Sequence, residues 1–214
     1  MQQTDLHVYE SDHIKITFDK LRCTHVGECV RNLPQVFNPL SRPWIDPAKA
    51  DPEEVADVVE RCPTGALHYV MTERKEKPAR PCQVRIASNG SIYLKGRFKL
   101  HDPETLHDIE DTRFALCRCG RSEHQPACDN QHKRTGFKSE LSRDSIQPTE
   151  AADVAQFSKL NVLLVNEGPA VMNGSYQLSV EDGYVVSSDK TLVLCRCGRS
   201  LVKPYCDGSH DGGP

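Results

Sequence analysis

Six of the ten cysteines in this 214-residue chain form two copies of one spacing that is typical of metal ligands. In each copy, two cysteines are separated by one residue, a third cysteine follows after eight residues, and a histidine after three more. The copies comprise Cys117, Cys119, Cys128 and His132, and Cys195, Cys197, Cys206 and His210. A disulfide framework gives no reason for the histidines, whereas imidazole is a common ligand of borderline metals. The spacing therefore predicts two equivalent metal centres.

The two copies belong to a longer internal repeat with an offset of 78 residues, from 117 to 195. Moving residues 82–136 by this offset onto 160–214 superimposes glycines, aspartates and apolar residues, and the block CRCGRS recurs unchanged. Self-similarity at a fixed offset indicates a duplicated structural unit. We therefore expect an intramolecular pseudo-dimer, which is compatible with a monomeric protein.

The residue types alone leave two kinds of metal centre open. Three cysteines and one histidine are a standard closed set for structural zinc. Zinc ligands, however, usually come in pairs separated by a long loop. Here the four ligands of a copy lie within 16 residues, 117 to 132, and the first pair is C-x-C. Because soft thiolates suit both zinc and iron–sulfur centres, the spacing does not decide between them.

The second copy resembles a known family. It contains Cys206-Asp207-Gly208-Ser209-His210 within the pattern C-x-C-x2-S-x3-P-x-C-D-G-S-H, which is similar to that of the CDGSH (mitoNEET-type) iron–sulfur family. The resemblance implies two [2Fe–2S] clusters, one on Cys195, Cys197, Cys206 and His210, and one on Cys117, Cys119, Cys128 and His132. The first copy departs from the family string, because it reads Cys128-Asp129-Asn130-Gln131-His132, but it keeps all four ligands.

Three more cysteines lie in the first 75 residues. The alternating polar and apolar residues of 13–23 predict a strand, and Cys23 and Cys29 follow it. An N-cap aspartate and a first-turn proline predict a helix over 51–62, which ends on the third cysteine. A second strand is predicted over 66–70. We expect these elements to belong to a β-α-α-β unit that could bring the three cysteines together.

The ending Cys62-Pro63-Thr64-Gly65-Ala66-Leu67 resembles that of the divergent single-cluster bacterial ferredoxins. The resemblance implies a cluster on Cys23, Cys29 and Cys62. A four-cysteine loop would have a ligand at position 26, where this chain has Val26. Three thiolates suit a [3Fe–4S] cluster, whereas a [4Fe–4S] cluster needs a fourth ligand from His25, Cys82, water or an exogenous group. The alternative is that these cysteines are ordinary core residues.

Short apolar runs position the ligands in each repeat and indicate β-rich units. They lie at 92–100 and 113–116 in the first repeat, and at 170–178 and 191–194 in the second. Together the patterns predict an α+β protein built from small metal-stabilised domains. We expect a ferredoxin-like domain over 1–75, a first CDGSH domain over 76–138, a linker over 139–159, and a second CDGSH domain over 160–214.

The composition limits the expected size of the core, the expected partners and the expected location of the protein. Only 37% of the residues are hydrophobic, which argues against one large core. The net charge of -3 argues against a general nucleic-acid binder. Neither a signal peptide nor a membrane-spanning stretch is recognisable. We therefore expect a cytoplasmic protein without nucleic-acid or membrane partners, whose cysteines stay reduced.

No nucleotide-phosphate loop, flavin motif or nucleophile triad is recognisable, so we expect an electron carrier rather than an enzyme. Its partner would be a redox protein or an apo-acceptor of clusters. One alternative is cluster storage, cluster transfer or redox and pH sensing, and another is a zinc-stabilised interaction module. We also expect the arginines beside the thiolates to donate hydrogen bonds that tune a cluster; they are Arg118, Arg121, Arg196 and Arg199. Cys82 is expected to be a plain thiol in a linker.

Overall fold

The computed structural model describes residues 5–103, 107–141, 143–146, 159–180, 183 and 185–211. The chain divides into two compact units, residues 3–77 and 78–214, and both repeats belong to the second. Each unit is a small mixture of strands and short helices. Within the described ranges, no helix has the length and apolar character that crossing a bilayer requires.

The first unit is a three-stranded antiparallel sheet with two helices. Its strands are β1 (Leu6–Glu10), β2 (Lys15–Asp19) and β3 (Leu67–Val70), and they pair in that order. The helices α1 (Glu28–Asn32) and α2 (Pro52–Val59) lie between β2 and β3 in the sequence. The strand β1 has no counterpart in the prediction, because its side chains are largely exposed and give no core-facing pattern.

Helix α2 forms where its sequence predicts and then stops early. The carboxylate of Asp51 accepts the N–H of Glu53 at 2.9 Å, which satisfies one of the free donors of the first turn. Val55 and Val59 are fully buried on the face that packs into the core. The predicted end at Cys62 lies three residues beyond the observed end, because Cys62 closes a turn by donating its N–H to the carbonyl of Val59.

The second unit is built on one eight-stranded sheet. Its strand order is β10-β9-β4-β5-β7-β8-β11, with β6 also paired to β5. The first repeat contributes β4 (Cys82–Ile86), β5 (Ile92–Asp102), β6 (His107–Leu116) and the helix α3 (Gln131–Arg134). The second contributes β7 (Leu160–Leu164), β8 (Ala170–Asn173), β9 (Tyr176–Ser179), β10 (Val185–Ser188) and β11 (Leu192–Leu194).

Strands of the two repeats are interleaved in this sheet. Strand β4 of the first repeat pairs in parallel with β9 of the second, with Cys82 opposite Tyr176. Strand β7 of the second repeat pairs in parallel with β5 of the first, with Leu160 opposite Phe98. Adding the 78-residue offset to Cys82 and Phe98 gives Leu160 and Tyr176, so the two pairings are equivalent. Each repeat therefore supplies a strand to the part of the sheet built by the other, and one hydrophobic core is shared by both.

The segment after the first repeat packs against that repeat. Ser139 and Asn89 exchange two hydrogen bonds, in which each backbone N–H donates to an oxygen of the other residue, at 2.7 and 3.0 Å. Leu141 and Ile146 are buried in the shared core. The stretch 139–159, which the sequence predicts to be a linker, thus begins as packed chain. Residues 147–158 of that stretch fall outside the described residues.

Cys82 lies at the start of β4 and not in a linker. Its side chain is 3% exposed, and burial raises its pKa to about 12. Gly96, where the β5–β6 register shifts, lies against it with a φ of +138°. A Cβ at Gly96 would stand 2.7 Å from the carbonyl oxygen of Ala79 and 2.8 Å from the Cα of Cys82. Because those atoms are backbone, they cannot move aside without disturbing the sheet.

We therefore expect Gly96→Ala to lower the free energy of unfolding of the second unit by about 3 kcal/mol. Gly136→Ala is the matched control, because Gly136 also has a positive φ but no atom within 4 Å of the added Cβ. The control should lose only about 1 kcal/mol. Urea unfolding of the anaerobically purified chain, followed by circular dichroism, measures both. Equal losses would show that the close approach at Gly96 does not limit stability.

Candidate metal centres

In the first repeat, a strand end and a returning loop hold the ligands in two pairs. Strand β6 runs directly into Cys117, whose N–H donates to the carbonyl of Pro126 at 2.9 Å. The N–H of Cys128 returns to the carbonyl of Ala115 at 2.8 Å. The sulfur atoms of Cys117 and Cys119 are 3.7 Å apart. The sulfur of Cys128 is 3.4 Å from Nδ1 of His132.

The second repeat reproduces this frame. The N–H of Cys195 donates to the carbonyl of Pro204 at 2.9 Å, and that of Cys206 to the carbonyl of Val193 at 3.1 Å. The sulfur atoms of Cys195 and Cys197 are 3.7 Å apart. The sulfur of Cys206 is 3.5 Å from Nδ1 of His210. Each repeat thus presents a thiol–thiol pair and a thiol–imidazole pair.

The donors are arranged in pairs rather than around one point. Over the described residues, no three histidine, cysteine or acidic side chains are grouped to hold a single metal ion. Within the first thiol–thiol pair, the hydrogen bond between the sulfurs lowers the pKa of Cys117 and raises that of Cys119. Cys117 therefore loses its proton readily, and the resulting thiolate can bind a metal.

A carboxylate closes each ligand loop. Asp129 accepts the backbone N–H of Glu123 at 2.8 Å and that of Gln131 at 3.0 Å. In the second repeat, Asp207 accepts the N–H of Leu201 at 2.7 Å and that of Ser209 at 3.0 Å. These bonds hold the pKa of Asp207 well below its usual range. The ligand spacing gives no sign of the bond that spans the loop.

The two ligand loops touch each other through backbone atoms. Gly120 and Gly198 have φ values of +70° and +78°. A Cβ on Gly120 would stand 2.8 Å from the carbonyl oxygen of Cys197. A Cβ on Gly198 would stand 2.9 Å from the carbonyl oxygen of Cys119. The two contacts are related by the repeat offset, and they place one ligand of each centre directly against the loop of the other.

The surroundings of the two centres differ although their ligands correspond. In the first repeat all four ligand side chains are buried. In the second, Cys197, Cys206 and His210 are half-buried. Solvent and partner molecules therefore reach the second centre more easily than the first.

The arginines beside the thiolates do not share one role. The N–H of Arg199 donates to the sulfur of Cys197 at 3.4 Å, and its guanidinium donates to the carbonyl of His210 at 2.7 Å. Burial opposes ionisation of Cys197, but the backbone N–H of Arg199, the Cys195 thiol and the guanidinium of Arg199 together lower its pKa. Arg118 donates instead to the carbonyls of Gly90 and Ala87 and to Ser139.

The first unit holds a third group of thiols. Cys23, Cys29 and Cys62 line a concavity of about 350 Å³, a volume that includes space open to solvent, together with His25 and Thr64. All three cysteines are half-buried. Burial and the nearby charge of Cys62 raise the pKa of Cys29 to about 11. The structure therefore brings the three predicted ligands to one depression.

Two features of this concavity bear on a fourth ligand. Nδ1 of His25 lies 3.9 Å from the sulfur of Cys23, with the His25 backbone at a φ of +53°. Val26, at the position where a four-cysteine loop would carry its ligand, is 38% exposed.

Comparison with known proteins agrees with these three groups. Residues 9–72 match a family model described as a divergent 4Fe-4S mono-cluster. Residues 89–133 and 167–211 each match a model described as an iron-binding zinc finger of CDGSH type. The chain is 39% identical over 61 residues to "Uncharacterized protein YjdI" of Escherichia coli K12, covering 28% of this chain and 80% of that protein. The same values hold for the protein of that name in Escherichia coli O157:H7. No solved structure matches the chain.

We expect Asp207→Ala to weaken iron retention at the second repeat selectively. The change removes both acceptors that close the loop carrying Cys206, so the thiol–imidazole pair loses its fixed position. Iron and sulfide per chain after gel filtration should fall relative to the wild type. Asp189→Ala is the control, because it removes an exposed aspartate outside the loop. Equal retention in the two variants would contradict a role for the Asp207 bonds.

Proposed function

We propose that this chain is an electron carrier with three iron–sulfur clusters. It belongs to the divergent 4Fe-4S mono-cluster family through its N-terminal domain and to the CDGSH iron-binding family through its two repeats. A bound cluster supplies a one-electron redox couple. The main support for this proposal is the reciprocal contact of Gly120 with Cys197 and of Gly198 with Cys119. It joins the two ligand loops through a few backbone atoms, which is the proximity that electron exchange requires.

We propose that each repeat holds a [2Fe–2S] cluster. The support is the arrangement in pairs: Cys117 with Cys119 and Cys128 with His132, and the equivalent pairs in the second repeat. Two pairs match two iron atoms, whereas a single zinc ion would need four donors around one point. The interleaved strands and their offset-related registers support our view that the repeats act as an intramolecular pseudo-dimer.

Electrons would enter and leave the repeat pair at the second centre. Its ligands Cys197, Cys206 and His210 are half-buried, so a redox partner protein can approach them. The first centre is buried and would exchange electrons mainly through the loop contact with the second. Arg199 holds the backbone of His210 and donates to Cys197, which fixes the position of both ligands.

For the N-terminal domain we propose a [4Fe–4S] cluster on Cys23, Cys29 and Cys62, with His25 as the fourth ligand. His25 lines the same concavity as the three thiols, and its left-handed backbone turns the ring toward Cys23. Cys82, the other protein candidate, has its thiol buried in the core of the second unit. The [3Fe–4S] alternative corresponds to the three thiolates without the imidazole.

One observation favours a second function, which is donation of a cluster to an apo-protein. The half-exposed ligands of the second repeat make its cluster easier to release than the buried one. Incubation with an apo-ferredoxin distinguishes the two: a donor loses one cluster to the acceptor, whereas a carrier keeps its clusters and only reduces the acceptor.

The metal and sulfide content of anaerobically purified protein tests the proposal first. We expect about eight iron and about eight sulfide per chain, and a visible spectrum that is bleached reversibly by reductant. A colourless protein with stoichiometric zinc and no sulfide would support the zinc-stabilised module and overturn the carrier. The cytoplasmic location and the absence of enzymatic activity stay predictions.

His210→Cys should lower the reduction potential of the second cluster by about 100 mV or more. A thiolate in place of a neutral imidazole makes the site one charge more negative, so adding an electron becomes less favourable. Spectroelectrochemical titration of the full chain measures the shift, and His101→Cys controls for an added thiol elsewhere on the second unit. An unchanged potential in His210→Cys would exclude His210 as a ligand.

His25→Ala should convert the N-terminal cluster from a four-iron to a three-iron form. Removing the imidazole leaves one iron without a protein ligand, and that iron is lost first on oxidation. Electron paramagnetic resonance of the oxidised protein should then show a three-iron signal that the wild type lacks. His13→Ala is the control, since His13 is exposed outside the concavity. The same signal at equal intensity in the wild type would contradict His25 ligation.

A further inference from the structure

The imidazole ring of His210 has a different neighbour on each of three sides. Nδ1 faces the sulfur of Cys206 at 3.5 Å, and Nε2 lies 3.2 Å from Oδ1 of Asp211. A Cβ added to Gly168 would stand 3.1 Å from Cδ2 of the ring, so the backbone of Gly168 lies close to that edge. The ring therefore has a thiol on one side and a carboxylate on the other.

This orientation decides which ring nitrogen carries the proton. Because Nδ1 faces the sulfur of Cys206, Nδ1 is the nitrogen available to an iron. A neutral imidazole has one N–H group, so with Nδ1 as the ligand atom the proton is on Nε2, which faces Asp211. A metal-bound histidine commonly donates this second N–H to a carboxylate, which orients the ring and strengthens the bound nitrogen as an electron donor. The separation of 3.2 Å is at the long end of the hydrogen-bonding range.

The backbone holds the carboxylate in this place. The N–H of Asp211 donates to the carbonyl of Gly208 at 3.1 Å, within the short helical turn Ser209–Asp211. The carbonyl of His210 accepts the guanidinium of Arg199 at 2.7 Å. Both polar groups of the peptide that joins His210 to Asp211 are thus bonded, so the ligand and the carboxylate are fixed relative to each other.

The first repeat has the opposite charge at this position. Moving Asp211 back by the 78-residue offset gives Lys133, which follows the ligand His132 in helix α3. The four ligands correspond between the repeats, but the residue after the ligand histidine is acidic in one and basic in the other. A negative charge beside a cluster makes an added electron less favourable, and a positive charge makes it more favourable.

We propose that Asp211 is a positioning residue of the second centre, which orients the imidazole of His210 and lowers the reduction potential of the second cluster. This inference rests on the proposed function, because it requires a [2Fe–2S] cluster on the second repeat. The charge difference between Asp211 and Lys133 favours the electron on the first cluster. An electron that enters at the more accessible second centre is thereby drawn toward the buried one.

The test is a redox titration of the cluster-loaded full chain, followed by electron paramagnetic resonance. The signal of the second cluster is the one that His210→Ala lacks. Asp211→Asn keeps the size and one acceptor oxygen of the side chain but removes its charge. At the midpoint potential of the wild type, its ratio of reduced to oxidised second cluster should be about threefold higher, a shift of about 30 mV at about 59 mV per tenfold. The effect is no larger because the Asp211 side chain is 82% exposed and water screens its charge.

Two further variants separate the carboxylate from net charge. Asp211→Glu keeps the carboxylate and should recover at least half of the shift. Asp189→Asn is the matched control, because it removes the charge of an exposed aspartate outside the ligand loops, and its ratio should equal that of the wild type. An unchanged ratio in Asp211→Asn, or an equal rise in Asp211→Glu or Asp189→Asn, would overturn the proposal.

Cluster retention decides the question if Asp211→Asn loses the second cluster. Full iron content in both Asp211→Glu and Asp189→Asn would then support the role of the carboxylate, and loss in either would overturn it. The outcome is distinguishable from that of the carrier proposal. A shifted potential without electron delivery to a partner supports Asp211 and contradicts the carrier, whereas delivery without a shift does the reverse. A wild type without two-iron signals overturns both.

Discussion

The arrangement of the two repeats depends on the backbone contact between the two ligand loops. Gly120 and Gly198 adopt left-handed conformations, and each lies where a Cβ would collide with the carbonyl of a cysteine from the other repeat. The contact requires the two loops to lie next to each other. The interleaved parallel pairings of β4 with β9 and of β7 with β5 hold the two repeats in that arrangement. The sheet is therefore the frame that positions the two centres, and the glycines allow them to meet.

The two repeats have the same candidate ligands in different surroundings. The first is covered by the segment that follows it, whose Ser139 satisfies the buried Arg118. The second is half-exposed, and its Arg196 donates to Oε1 of Gln125. Burial and nearby positive charge both act on the reduction potential of a cluster. A pair of clusters in such sites would thus have unequal potentials, which gives electron exchange between them a direction.

The grouping of the candidate ligands, the repeat and helix α2 could be predicted from the sequence, because each depends on local spacing or on residues within one turn. Cys117 to His132 and Cys195 to His210 are short patterns, and Asp51 with Pro52 marks a helix start without any tertiary information. The exchange of strands between repeats could not be predicted, since it depends on which of two equivalent partners a strand chooses. The contact between the two ligand loops could not be predicted for the same reason, because it arises from residues of both repeats.

Electron paramagnetic resonance of the fully reduced protein tests the central claim most directly. If each repeat holds a two-iron cluster and the loops place the clusters side by side, the two reduced centres broaden and split each other's signals. That broadening should disappear when His210→Ala removes the second cluster and leaves the first. Two sharp, independent signals from the loaded wild-type chain, or no iron signal from either repeat, would contradict the account.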